Sequence, residues 1–142
     1  MIVIVALPEL AGSGGDEDRA AEPSVRQVSA WLDGFNSGDR ERYAEFLADS
    51  FPSRLAHLDK AMASRELTGG FDLRKLERVS ATEAVGLVQE RASDQFARFE
   101  LTLAATEPHV IISLDLTAIP RPAEFPIARL AERLDARLPT RG

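Results

Sequence analysis

In this 142-residue chain the side chains whose spacing could gather for proton chemistry are those of two alternating runs, Asp115 among them. A carboxylate set against an apolar wall can take or give a proton. Asp115 lies in "HVIISLDLTAI" (109–119), an alternating run with Ser113, Asp115 and Thr117 on one side and Val110, Ile112, Leu114 and Leu116 on the other. The run before it, "QFARFELTLAA" (95–105), sets Arg98, Glu100 and Thr102 against Ala97, Phe99, Leu101 and Leu103. Paired antiparallel, the two polar stripes share a face and bring Arg98 or Glu100 near Asp115 or Ser113. This predicts either a charged sheet surface with cross-strand ion pairs or a polar cluster at a pocket mouth.

Other chemistries have less to stand on. Asp39 follows a glycine and precedes a helical run, so it reads as a helix N-cap, whose carboxylate is held ionised and makes a poor proton donor. His57 and His109 have no companion at ligand spacing, and no metal site is expected. Cysteine is absent, which removes disulfides and thiolate chemistry. The nucleophile signatures Ser-x-x-Lys and Gly-x-Ser-x-Gly and the metalloprotease signature His-Glu-x-x-His do not occur. Nothing calls for a cofactor. Trp31, Phe35, Tyr43, Phe46 and Phe99 are the aromatic residues expected around an apolar ligand pocket, with core packing as their other use.

These side chains must be carried by two kinds of element. Ser24 and Gln27 have capping-box spacing, and Val25, Val28, Leu32 and Phe35 then recur at helical intervals with Trp31 beside them. In "NSGD" (36–39), Gly38 is the left-handed stop of that helix and Asp39 the start of a second, with Tyr43, Phe46 and Leu47 on one face. A third helix is expected over 52–66, with Leu55, Leu58 and Met62 inward. After "TGG" (68–70) the period shortens to two. Strands are expected over 71–79, 83–91, 95–105 and 109–119, the first carrying a bulge because Leu73 and Leu76 break its alternation. "PRPAEFP" (120–126) ends the sheet, and 127–138 reads as an amphipathic helix.

Helices first and a strand meander after predict an α+β fold, a curved antiparallel sheet with helices on one face. The domain is expected over 24–126, preceded by an arm (1–23) that is flexible or signal-like or else carries a short ordered strand pairing with the domain, and followed by the terminal helix and tail (127–142). Seventeen basic against 23 acidic side chains leave a net charge of −6, which argues against a nucleic-acid surface. The apolar start, 1–7, is too short to span a membrane.

The helix pair around "WLDGFNSGDRERYAEFLA", a third helix and the long meander resemble the NTF2-like (SnoaL-like, cystatin-related) superfamily. More narrowly, "TGGFDLRKLE", "QERASDQFARFEL" and "EPHVIISLDLTAIPRP" are similar to an accessory domain found ahead of serine hydrolase or S41-type peptidase domains in exported bacterial proteins. The resemblance implies a cone-shaped sheet around a helix, a homodimer through the sheet, a hydrolase partner protein and an exported or periplasmic location. It also implies three candidate roles: a non-catalytic interaction or ligand-binding module, a carrier of an apolar small molecule, or a pocket enzyme of isomerase, cyclase or hydratase type using Asp115 or Tyr43.

Overall fold

The computed structural model describes residues 22–125. The expected arm up to residue 21 and the terminal helix over 127–138 lie outside the described residues. Within them the order is α1 (Pro23–Ser37), α2 (Arg40–Ser50), a 3₁₀ segment (Pro52–His57), α3 (Leu58–Thr68) and strands β1 (Phe71–Val79), β2 (Glu83–Glu90), β3 (Phe96–Leu103) and β4 (Ile111–Ile119). The strands form one antiparallel sheet in the order β1-β2-β3-β4, and the α+β reading holds.

Helix α1 buries Val25, Val28, Trp31, Leu32 and Phe35, the stripe its periodicity predicts. The expected capping box does not form. Pro23 opens the helix, so Ser24 is already inside the first turn. Its hydroxyl instead donates to Ser80 O at 2.6 Å, and Gln27 Nε2 donates to His109 O at 3.1 Å. Both side chains thereby tie α1 to sheet-end turns far along the chain. At the other end Gly38 has φ 72°, a left-handed value that glycine adopts without Cβ strain, and its N–H reaches Phe35 O. Asp39 Oδ1 accepts from the N–H groups of Glu41 and Arg42 at 3.0 and 3.3 Å, the N-cap its position predicts.

Asn36 has the longest reach in that joint. Its Nδ2 donates to Phe71 O at 2.8 Å and its Oδ1 accepts from Phe71 N at 2.8 Å. The side chain thus satisfies both backbone groups of the first residue of β1. Gly70, with φ 96°, lets it in: a Cβ there would lie 2.6 Å from Asn36 Oδ1. Arg65 of α3 donates to Asn36 O at 2.9 Å, closing the end of α1 from a third element.

The expected single helix over 52–66 is two segments. A 3₁₀ turn ends at His57 and α3 starts at Leu58. Neither segment has a fully buried residue. Leu58, Ala61 and Met62 are half-buried against the core, whereas Leu55, expected inward, is 41% exposed. This layer covers the core only thinly, and that leaves room beneath it.

The sheet turns one face to the helices. Phe71, Ala84, Val88, Ala97, Phe99, Leu101 and Leu114 join Val28, Trp31, Phe35, Tyr43 and Leu47 in one core. Two register shifts in β1 explain its irregular pattern. They leave Arg74 and Glu77 out of the backbone register with β2 and keep Leu73, Leu76 and Val79 opposite Val88, Gly86 and Ala84. Strand β4 carries a shift not expected from the sequence, between its pairings with Thr102 and Leu103. It turns Ile111 inward and leaves Ile112 59% exposed, so only Leu114 of the expected inward set is buried. On the outer face the segment after β4 folds back: Phe125 stacks on Phe96 at 5.3 Å, and Arg74 lies over both rings at 4.7 and 5.7 Å. Central strand β2 is buried at every residue from Ala84 to Gln89.

Candidate functional site

Between the helical layer and the inner end of β4 lies a cavity of about 410 Å³. Its inner wall is aromatic and aliphatic: Trp31 and Phe35 from α1, Tyr43 and Leu47 from α2, Phe51 from the link, Phe71 from β1, and Leu114 and Leu116 from β4. Its outer wall is the broken third helix, with Arg54, His57, Lys60, Ala61 and Ser64. The volume lies in the range of small-molecule sites.

The wall is built by ring contacts. Phe35 stacks on Phe71 at 5.5 Å and meets Tyr43 edge-on at 5.6 Å, while Trp31 sits 6.0 Å from Phe71 and 5.9 Å from Phe99. Phe99 is therefore behind Trp31, and Phe46 behind Tyr43 on which it stacks at 5.6 Å. Of the five aromatics expected around a ligand, Trp31, Phe35 and Tyr43 line the cavity and Phe46 and Phe99 support those that do. Gly86 makes room for the Phe99 ring. A Cβ at Gly86 would lie 2.8 Å from that ring and 2.3 Å from Lys75 O.

Polar groups converge at Tyr43. Its hydroxyl is pushed up to about 12, first by burial; the Arg54 charge and a hydrogen-bond contact with the Trp31 indole act in the opposite direction. An indole N–H only donates, so the tyrosine oxygen accepts there and its own O–H is left to donate. Arg54 is steered toward this region by two contacts, its guanidinium lying 5.0 Å over the Phe51 ring and its Nη2 donating to Leu114 O at 3.4 Å.

Asp115 is not brought to this cavity. It is exposed and pairs opposite Glu100, on the face of the sheet turned away from the helices. The shared polar stripe forms as the alternation predicts, with Thr102 opposite Ser113 and Arg98 opposite Thr117. Its ion pair, however, runs the other way across the sheet. Arg98 holds Glu77 through two bonds of 2.9 and 3.3 Å, which depress the Glu77 carboxyl below the usual carboxylate range. The bulge in β1 presents Glu77 there.

The histidines serve turns and edges. His109 Nδ1 meets Ala104 O at 3.0 Å, and His57 lines the cavity mouth. Among the described residues no group of three or more His, Asp and Glu side chains is placed to hold a metal, and no helix is long and apolar enough to cross a membrane.

The residues that sequence reasoning missed are those of the outer wall. His57, Lys60, Ala61 and Ser64 follow one another at helical intervals of three, one and three, which places them on one face. No apolar periodicity marks that face, since it consists of a histidine, a lysine, an alanine and a serine.

No protein-family model matches the chain, and comparison with curated proteins and with solved structures gives no match.

Proposed function

We propose that this domain binds a small apolar molecule, without transforming it, in the cavity between its helices and sheet. The observation that carries the reading is the composition of the cavity wall. Eight aromatic or leucine side chains face an open volume of about 410 Å³, and none of the residues lining it is an aspartate or glutamate. An isomerase, cyclase or hydratase acting through a buried carboxylate needs one on that wall, and Asp115 stands on the opposite face of the sheet. The order of helices and strands agrees with the NTF2-like cone that the sequence resembles, and the fold assignment is part of this proposal. The same resemblance supplies the setting, an accessory module carried beside an exported bacterial hydrolase and paired with a second copy of itself.

The test is a calorimetric titration with naphthalene-2-carboxamide, a rigid neutral probe of suitable size, against the wild-type chain and Ala61→Phe. Ala61 is half-buried on the cavity wall, so the larger side chain fills the volume from its rim. Saturable one-to-one binding that is lost in Ala61→Phe, with thermal unfolding still cooperative, is the expected result. Binding of equal strength in both proteins would place the probe elsewhere and end the proposal.

A further inference from the structure

The charge distribution of the cavity goes against that of the chain. The protein carries a net charge of −6, yet the ionisable side chains at the mouth are Arg54, His57 and Lys60, with the Ser64 hydroxyl beside them. Arg54 and Lys60 make no ion pair with any described residue, whereas Arg40, Arg42, Lys75, Arg78, Arg91 and Arg98 each hold a carboxylate and Arg65, Arg74 and Arg121 bond to neutral acceptors. A lysine and an arginine left facing an apolar cavity are complementary to an anion that brings its own apolar body.

Resting on the binding reading above, we infer that the occupant is an amphipathic carboxylate: an apolar body against Trp31, Phe35 and Leu114, with one anionic head at Arg54 and Lys60. Three features specify the head. The Arg54 guanidinium is held over Phe51 and spends a single long bond on Leu114 O, so most of its five N–H donors remain for an incoming anion. The guanidinium lies on the cavity side of its segment, lining the cavity with Leu114, whose carbonyl it reaches. The Tyr43 O–H adds a neutral donor at the inner end of the same polar strip. A cationic head would meet two like charges there and no acid.

The size of the body follows from the volume. At the roughly 30 Å³ that one water molecule takes in the liquid, a cavity of about 410 Å³ accommodates on the order of 14 non-hydrogen atoms. That fits a bicyclic aromatic acid or a medium-chain fatty acid.

The experiment compares three near-isosteric probes by calorimetry on the full chain: naphthalene-2-carboxylate, its neutral carboxamide, and 2-naphthylmethylammonium. The carboxylate is expected to bind roughly five- to tenfold tighter than the carboxamide, the gain typical of one or two solvent-facing charge pairs, and the ammonium weakest. In the double substitution Arg54→Gln and Lys60→Met the preference for carboxylate over carboxamide should fall to near one, with cooperative thermal unfolding showing that the variant is folded. Equal binding of carboxylate and carboxamide by the wild type, or a preference that survives the double substitution, would overturn the assignment of the head group and leave the binding reading intact. Failure of all three probes to saturate would remove both.

Discussion

Asn36→Ala removes the side chain that hydrogen-bonds both backbone groups of Phe71 at the start of β1. Two hydrogen bonds go with it, both 2.8 Å long, from Asn36 Nδ2 to Phe71 O and from Phe71 N to Asn36 Oδ1. Phe71 is only 6% exposed, so water does not readily replace them. Each lost bond costs about 1 kcal/mol, and a buried backbone donor or acceptor left without a partner adds further loss, which puts the total at about 2–4 kcal/mol. For a domain of this size that lowers Tm by at least about 8 °C. Asn36→Asp separates the two halves of the interaction: the carboxylate still accepts from Phe71 N but offers nothing to Phe71 O, so at least about 1 kcal/mol should be lost. Glu45→Ala, on the exposed side of α2, serves as the control and should stay within about 0.5 kcal/mol of wild type. Urea unfolding followed by far-ultraviolet circular dichroism gives all three values. An Asn36→Ala variant as stable as the control would refute the reasoning, because the staple would then contribute nothing net.

Three further outcomes follow from the same structure. Tyr43 is the only tyrosine, so ultraviolet absorbance read against pH reports it alone, and its midpoint should be about 12 against an ordinary 10.0. Because the folded value is the higher one, the stability tied to the neutral phenol is fully present below pH 10 and lost as pH rises toward 12; Arg54→Met should raise the midpoint further by removing an opposing charge. A midpoint near 10 in the folded protein would contradict the burial of that hydroxyl. Gly86→Ala puts a methyl group 2.3 Å from Lys75 O and 2.8 Å from Phe99, and overpacking against backbone should cost about 3 kcal/mol, read by chemical unfolding. Asp39→Ala removes an N-cap that serves Glu41 and Arg42 and should cost about 1 kcal/mol in the same assay.

The parts of this fold legible in the sequence are those decided within a few residues. A glycine able to take φ 72° next to an aspartate able to cap is a local instruction, and "NSGD" becomes the joint between α1 and α2. The bulged β1 was legible for the same reason, since Leu73 and Leu76 can share a face only if the strand slips between them. In β4 the signal fails. Ile111 and Ile112 are both apolar, so alternation counted along the strand has no means of telling which one turns inward, and pairing with β3 decides for Ile111. The capping box failed through one residue, Pro23, which starts the helix early and frees Ser24 for Ser80. Asn36 looked like turn punctuation because its partner, Phe71, is 35 residues away. The cavity was half legible: Trp31, Phe35 and Tyr43 were visible as aromatic residues on two helices, but its mouth depends on a helix broken at His57 and Leu58. No local rule placed that break, and Arg54 and Lys60 gained their meaning from it.

The central claim is that the space enclosed by Trp31, Tyr43 and Leu114 is a binding site. Intermolecular nuclear Overhauser effects between naphthalene-2-carboxylate and the methyl groups of the protein test it most directly. The account predicts contacts from the ring to Ala61, Leu47 and Leu114, all on the cavity wall, with chemical-shift changes at Arg54. Contacts confined to the outer face around Phe125, or no saturable contact with any cavity methyl group, would contradict it.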